Sequence, residues 1–433
     1  MIALTNIKLQ PAAKELTGTI TVPGDKSISH RSIIFGALAK GQTTVRHFLD
    51  GEDCLRTIDA FRALGVSIEQ EGNTVTISSD GKDSFKEPTV PINFGNSGTT
   101  ARLLLGVFAA LPFHITAYGD ESLTKRPMDR VTVPLRQMGA KINGRAEGKY
   151  LPLAVDGQKL SHLTYHTPVK SAQVKSALLL AGLLADGETK ISEDVKTRDH
   201  TEQMLTSFGA QVDVSGTTVT IKGGQTLQAA DVYVPGDISS AAFFLVAACL
   251  VPGSQVTLKN VGLNPTRTGI LDVMQSMDAA IEIQEHQTEA GEKIGDITVR
   301  YGPLKGTEIG GDVIPRLIDE LPILALLATQ AEGETIIKDA EELRYKESDR
   351  IEAIASTLRS FGAELVTTPD GLVIKGNQKL QGTEADSFGD HRIGMMISIA
   401  SLLADGETIL KDADSINISY PDFFNDLKML QNR

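Results

Sequence analysis

The heptapeptide LLADGET occurs twice word for word, at residues 183–189 and 402–408, with looser copies at 331–335 (AEGET) and 39–43 (AKGQT). The central glycines, Gly41, Gly187, Gly333 and Gly406, lie 146, 146 and 73 residues apart, which is two, two and one times a single period. A fixed period of this size means that one supersecondary unit is repeated, and any fold assigned to the chain has to respect it. Two more copies are due near residues 114 and 260, where LPFHITAYG and VPGSQVTLKN keep the same helix-turn-strand character in degraded form. A second marker (LGV, MGA, FGA, MDA, FGA) surrounds Gly65, Gly139, Gly209, Asp278 and Gly362, at spacings of 74, 70, 69 and 84. The chain reads as six units of about 70 residues.

Within one unit a Ser/Ala-rich apolar helix (SALLLAGLLA) runs to the glycine, and a short β-branched strand (TKIS) follows. A second, amphipathic helix (HTEQMLTSF) leads to the second marker, and two strands (QVDV, TVTIKG) close the unit. With one strand before each Ser/Ala-rich helix the order is β-α-β-α-β-β, which predicts the α/β class. Small residues on the first helices predict close packing, with helices inside the sheets rather than outside them. Six equal units divide naturally as three and three. The tetrapeptide VPGD, at 22–25 and again at 234–237, marks the joints. It predicts a contiguous domain over 25–234 and a discontinuous one from 1–24 with 235–433, with an active site in the cleft between them.

The formal net charge of −13 speaks against nucleic acid or an anionic membrane as the main partner. Clusters of cations stand out against it. Two cysteines, Cys54 and Cys249, are too few for a disulfide framework and suit a reducing cytoplasm. The first residues, MIALTNIKLQP, have no basic segment, apolar segment or cleavage site of a signal peptide. The longest apolar runs, such as AAFFLVAACLV, fall short of the roughly 18 to 20 residues that a membrane span needs.

Because the units are alike, residues at matching places should lie at equivalent ends of their domain. Before the first helices stand PGDKSISHR, GNSGTTAR, VKSAQVK, GDISS, IPRLIDELP and GDHR; before the second stand LTKRPMDR, KTRDHTE, NPTRTG and LRYKESDR. Helix N-termini supplemented by Arg or Lys make a receptor for multiply charged anions, and GNSGTT leaves N–H groups open to a phosphate or carboxylate. Amid these cations Asp319 and Glu347 could transfer protons.

Simpler readings exist for each motif taken alone. Lys26-Ser27 resembles the end of a phosphate-binding P-loop, but Asp25 stands where that loop needs glycine. Ser and Thr at helix starts are ordinarily N-caps, and KESDR is ordinarily a solvated turn. His30, His200 and His391 lack metal-ligand spacing, so no metal is expected, and both cysteines read as core. Six units polar at the same place outweigh these readings.

PGDKSISHR, GNSGTTARLL, SLTKRPMDR, SAQVKSALLLAG, TRDHTE, PGDISSAAFF, IDELPILA, KESDRI and GDHRIGM, in that order over nearly the whole chain, resemble the 5-enolpyruvylshikimate-3-phosphate synthases. The resemblance implies two inside-out α/β barrel domains of three units each. It also implies transfer of the enolpyruvyl group of phosphoenolpyruvate to the 5-hydroxyl of shikimate 3-phosphate, with no cofactor, in a cytoplasmic monomer. Carried over by position, Lys26, Ser27, Arg31, Ser171, Ala172, Gln173, Arg198, Asp319 and Lys346 are expected to bind shikimate 3-phosphate. Lys26, Asn96, Gly98, Arg126, Gln173, Arg350 and Arg392 are expected to bind phosphoenolpyruvate. Lys26, Asp319 and Glu347 take the catalytic roles: Asp319 as base toward the 5-hydroxyl, Glu347 as the acid that protonates the methylene carbon, Lys26 assisting.

Ile418 departs from the pattern, since many relatives carry Lys there, and Lys346 or Arg350 is expected to compensate. SAQ and TRDH resemble the class II bacterial branch, some of whose members tolerate glyphosate, whereas Gly98 stands where certain tolerant members have Ala. Three other readings compete. UDP-N-acetylglucosamine enolpyruvyltransferases share the fold, but typically carry Lys-Asn at the place of Lys26-Ser27 and a Cys in the loop matching GDESLTKRP. A non-catalytic anion-binding scaffold would need the cations but neither Glu347 nor Asp319. An RNA 3′-phosphate cyclase would need a surface suited to polyanions.

Overall fold

The computed structural model describes residues 5–287 and 292–431. In chain order the helices of the repeats are α1 (Lys26–Leu38) and α2 (Glu52–Ala63), then α3 (Gly98–Phe108) and α4 (Asp129–Gln137), then α5 (Ala172–Leu184) and α6 (His200–Ser207). They continue with α7 (Ile238–Leu250) and α8 (Gly269–Ser276), α9 (Leu321–Gln330) and α10 (Arg350–Ser360), and α11 (His391–Ala400) and α12 (Phe423–Gln431). The odd-numbered helices have no polar side. Every residue of α7 is buried, as is α1 from Ile28 onward and α5 from Val174 to Leu183. A helix apolar all round has to be surrounded by other elements.

Sheets supply that cover. The strand Tyr150–Asp156 buries Leu151, Leu153 and Val155 and turns the residues between them away from the core, the alternation of a sheet covered on one face only. Helices lie inside and sheets outside, as the small-residue pattern implied.

Contacts along the chain fall into two units, Gly24–Val234 and Met1–Pro23 with Pro235–Arg433, each with its own hydrophobic core. In every complete sheet the first strand runs parallel to the second, which pairs antiparallel with the fourth, and the fourth with the third: Thr164–His166, Glu188–Ser192, Thr218–Lys222, Val212–Ser215.

The β-α-β-α-β-β order is contiguous in the second, third and fifth repeats only, and this corrects the simpler expectation. In the first repeat Leu227–Gln228 and Val232–Tyr233, from the far end of the same unit, pair in parallel with Ala39–Arg46. In the fourth, Thr17–Ile20 pairs with Gln255–Gly262, and in the sixth Ile7–Leu9 pairs antiparallel with Thr408–Lys411. Each unit thus sews its own ends together. Otherwise the edges of Ala39–Arg46, Gln255–Gly262 and Thr408–Lys411 would present unpaired N–H and C=O groups.

The repeat markers have a conformational cause. Gly41, Gly187, Gly333 and Gly406 have φ of +115°, +84°, +93° and +97°, and Gly65, Gly139, Gly209 and Gly362 have φ of +86°, +102°, +85° and +89°. Asp278 holds the equivalent place at +65°. Each marks the left-handed residue that ends a helix or turns into a strand, where a Cβ is costly.

Close packing of the buried helices is clearest where α3 meets α5. A Cβ on Gly106 would lie 2.1 Å from the carbonyl oxygen of Ala177, and backbone cannot swing aside. Gly106→Ala is expected to destabilise the Gly24–Val234 unit by about 1–3 kcal/mol or more, read as a lower urea midpoint for that unit's transition.

Candidate active site

Four of the six first helices are capped by a side chain. Asp25 accepts from Ile28 N (2.9 Å), Ser97 from Thr100 N (3.2 Å), Asp237 from Ser239 N (2.8 Å) and Asp390 from Arg392 N (2.9 Å). An aspartate cap satisfies a donor and offsets the positive end of the macrodipole, so α1, α7 and α11 are not the open anion receptors expected of every repeat. α9 starts at Leu321 behind Glu320, with Pro322 in its first turn, and no side chain caps it. α5 follows Ser171, whose side chain makes no capping bond, so the N–H groups at Ala172 and Gln173 suit an anion.

In the Gly24–Val234 unit most of the expected residues form linked groups. Lys26 Nζ donates to Asp53 Oδ2 at 2.9 Å, and the carbonyl of Asp53 accepts from Thr100 Oγ1 (3.2 Å) at the start of α3. Arg31 is buried: its Nε donates to Thr201 Oγ1 and its Nη2 to Ser176 Oγ, both at 2.7 Å, and its Nη1 to the carbonyl of Ser27 at 2.9 Å. Arg126 Nη2 donates to Asn96 Oδ1 (2.5 Å) and to Ser122 Oγ (3.1 Å). Arg102 Nη1 donates to Gln173 Oε1 (2.6 Å), and Gln173 Nε2 to Thr99 Oγ1 (3.0 Å). Gly98 lies between the two guanidinium groups, so Asn96, Gly98, Arg126 and Gln173 are brought together, with Arg102 as the link. Arg198 is half-buried on the 193–199 connection before α6.

In the other unit, Arg350 is the hub. Its side chain is 1% exposed and bonds Asp390 Oδ2 through Nε (2.8 Å), Asp319 Oδ1 through Nη1 (3.2 Å) and Glu347 Oε2 through Nη2 (2.7 Å). Burial opposes its charge, but the carboxylates of Asp390, Glu347 and Asp319 outweigh that and hold it more firmly protonated than an ordinary arginine. Removing one partner of such a buried pair typically costs about 3–5 kcal/mol. Lys346 Nζ also donates to Asp319 Oδ1, at 3.2 Å. Arg392 is buried, donates to the carbonyl of Ser239 (2.8 Å) and stands 5.9 Å above the ring of Phe243. Arg267 bonds Asp237 Oδ1 (3.0 Å) and Ser239 Oγ (2.6 Å), and Ser239 donates to Glu320. Lys346, Arg350 and Arg267 therefore face Asp319, Glu347, Asp390, Asp237 and Glu320, while Arg392 is held by a carbonyl and a ring. These three cations are not a bare clamp; they are already paired.

Sequence reading missed most of the pairing groups: Asp53, Arg102, Arg267, Glu320 and Asp390. A signal was available, since each belongs to a segment at a repeat's polar end, and a cation buried there demands a carboxylate. Ile418, half-buried in the 413–418 turn, brings no charge, and the two residues expected to compensate for it are both held by Asp319. Among the described residues no group of three or more His, Cys, Asp or Glu has the arrangement to hold a metal ion, and no helix is long and apolar enough to cross a membrane.

The profile of the family described as EPSP synthase (3-phosphoshikimate 1-carboxyvinyltransferase) matches residues 11–427. The chain belongs to the EPSP synthase family. It is 58% identical to the 3-phosphoshikimate 1-carboxyvinyltransferase of Oceanobacillus iheyensis over 98% of this chain and 99% of that one. It is 56% identical to that of Bacillus subtilis, over 96% of this chain and 98% of that one. The solved structure of EPSP synthase from Acinetobacter baumannii superposes with a TM-score of 0.87 at 43% identity, covering 98% of each chain. The enolpyruvyl transferase NikO from Streptomyces tendae shares the fold, with a TM-score of 0.80 at 18% identity over 98% of this chain and 97% of that one.

One buried group of this family member makes no direct claim on substrate. His30 Nδ1 meets Thr57 Oγ1 at 2.7 Å, and Thr57 continues to Thr100 Oγ1 at 2.8 Å, tying α1 to α2 and α3. Burial first, then the charges of Lys26 and Arg31, hold His30 well below the ordinary histidine value of 6.5. Below that pH the unfolded chain takes a proton that the folded one refuses, so His30 costs stability as pH falls, by up to about 1.4 kcal/mol per unit. The stability advantage of the wild type over His30→Asn, measured by urea unfolding, is expected to narrow from pH 7 to pH 5.

Proposed function

We propose that this chain transfers the enolpyruvyl group of phosphoenolpyruvate to the 5-hydroxyl of shikimate 3-phosphate, releasing phosphate. The observation that carries the reading is the Arg350 hub, in which one buried guanidinium holds both Asp319 and Glu347, in a chain that matches the family from residue 11 to 427. Glu347 donates a proton to the methylene carbon of phosphoenolpyruvate. The 5-hydroxyl adds to the cationic carbon that results and gives its proton to Asp319. The tetrahedral adduct then loses phosphate as a methyl proton is withdrawn, which restores the C=C bond and leaves the product as an enol ether. An acid role requires Glu347 to hold a proton, and its bond to Arg350 favours the carboxylate. Phosphoenolpyruvate arriving at Arg350 competes for that bond and sets negative charge beside Glu347, both of which raise its proton affinity.

For shikimate 3-phosphate the reading takes Ser171, the backbone at Ala172, Arg198 and Lys346 for the phosphate, Ser27 and Arg31 for the carboxylate, and Gln173 for the ring. For phosphoenolpyruvate it takes Lys26, Asn96, Gly98, Arg126, Gln173, Arg350 and Arg392. The uncapped start of α5 and the linked group around Arg126 support this division. We also read the chain as a cytoplasmic monomer, to which two buried cysteines outside any disulfide are suited.

Purified protein given both substrates and a chelator is expected to release phosphate. Turnover with UDP-N-acetylglucosamine instead would assign it to the sister reaction. Glu347→Gln is expected to abolish turnover while shikimate 3-phosphate affinity stays within about tenfold, whereas a mere anion scaffold would have no turnover to lose.

A methyl group on Gly98 would lie 3.1 Å from Arg102 Nη1 and 3.3 Å from Arg126 Nη1, tighter than ordinary contact. Gly98→Ala is therefore expected to raise KM for phosphoenolpyruvate by about tenfold with KM for shikimate 3-phosphate unchanged.

A further inference from the structure

Lys175 lies one turn inside α5, and its side chain is 1% exposed. An ammonium in such a place needs compensation, and it has two carboxylates: Glu193 Oε2 at 2.9 Å and Glu202 Oε1 at 2.8 Å, whose side chains are 3% and 4% exposed. Burial opposes the charge on Lys175, but Glu202 and Glu193 raise its proton affinity above the ordinary lysine value. The residues that Lys175 joins are informative. Glu193 begins the 193–199 connection and Glu202 lies in the first turn of α6, so the pair brackets the segment that carries Arg198.

Glu193 also closes the connection on itself. Thr197 donates to it twice, from Oγ1 to Oε1 at 2.5 Å and from N to Oε2 at 3.3 Å, and the Thr197 carbonyl lies 3.5 Å from Lys175 Nζ. Thr197 immediately precedes Arg198. One residue along α5, Ser176 meets Thr201 at 2.7 Å, so two successive residues of α5 fasten the start of α6 and the loop before it.

We propose that the buried Lys175–Glu193–Glu202 group is a positioning device that sets Arg198 against the uncapped N-terminus of α5, building the phosphate grip before substrate arrives. This rests on the reading of that place as the shikimate 3-phosphate site. Lys175 touches no substrate; it acts through Thr197. Such preorganisation improves binding by removing the cost of ordering the loop at each encounter, without altering the chemical step.

The two carboxylates have different tasks, which separates positioning from general stability. Glu193 holds the loop, whereas loss of the Glu202 charge leaves Lys175 and Glu193 as a balanced pair. Calorimetric titration with shikimate 3-phosphate is expected to show affinity about tenfold weaker in Glu193→Gln and less than twofold changed in Glu202→Gln, with kcat and KM for phosphoenolpyruvate near wild type in both. Amide hydrogen exchange without substrate reads the loop itself, and residues 193–199 are expected to exchange faster in Glu193→Gln than in Glu202→Gln. Wild-type affinity in Glu193→Gln, or parallel losses of affinity and melting temperature in the two variants, would overturn the proposal. So would equal protection of 193–199 in both, whatever the substrate proves to be. If the wild type ignores shikimate 3-phosphate, the functional reading falls while the exchange result still decides the positioning role. Should Glu193→Gln not fold, the charge-free Lys175→Met/Glu193→Gln/Glu202→Gln variant takes its place with the same expectations.

Discussion

A helix that is apolar on every side can be stabilised only by surrounding it, and that constraint organises each unit. α7 has no exposed residue, and the others of its kind come close, so the sheets must lie outside and present their buried face to the helices. Such helices have no surface on which to place chemistry. Polar function is forced to their ends, where a loop enters and backbone N–H groups lack partners. Hence Lys26, Ser97, Ser171, Ser239, Asp319 and Asp390 all occur within a few residues of a first helix's start. The concentration of charge in these segments follows from the architecture before any substrate is considered.

Cations placed there are substantially buried, and burial decides their company. Arg350 could not remain charged at 1% exposure without Asp319, Glu347 and Asp390. Lys26 with Asp53, Arg267 with Asp237 and Lys175 with Glu193 and Glu202 follow the same rule. Folding therefore covers the cost of desolvating these cations in advance. A substrate anion does not enter a bare positive cavity, which would be self-repulsive in the unliganded protein. In the proposed reaction it replaces a carboxylate at a guanidinium that is already dry and fixed, and the displaced carboxylate gains proton affinity. In that proposal binding and protonation of the carboxylate are one electrostatic exchange, which suits a chemistry that needs a carboxylic acid beside an anionic enol.

The repeat was legible because it has a local cause. A left-handed residue at a fixed place in each turn demands glycine, so Gly187 and Gly406 mark the same backbone event in different units, and Asp278 could be recognised by position although it lacks the residue type. The polar ends were legible for the same reason, being a fixed offset from those markers. The closing strands were not. Leu227–Gln228 and Val232–Tyr233 are two residues each, too short for any alternation, and they pair with a strand nearly 190 residues earlier. The pairing carboxylates were hidden likewise. Asp53 lies 27 residues from Lys26, and Asp390 lies 40 from Arg350, separations set by topology rather than by any period within a unit. An isolated GED or GDH reads as a cap, and Asp390 is indeed a cap as well as an ion-pair partner.

Capping also sorts the six helix starts, which composition alone treats as equivalent. Where aspartate caps a helix, the positive end of the dipole is already offset and the first N–H groups are engaged, as at α1, α7 and α11. Serine at α3 satisfies a donor without adding charge. Only at α5 is a hydroxyl-bearing residue in place and its side chain left out of the cap, while the loop bearing Arg198 is anchored to the same helix through Lys175. A dianion has most to gain there, because it meets open donors and an undiminished dipole rather than a competing carboxylate. The repeat thus supplies six chemically similar helix starts, and the residue before each decides whether a side chain engages its first N–H groups, as at α1, α3, α7 and α11, or leaves them uncapped, as at α9 behind a carboxylate and at α5 behind a neutral hydroxyl.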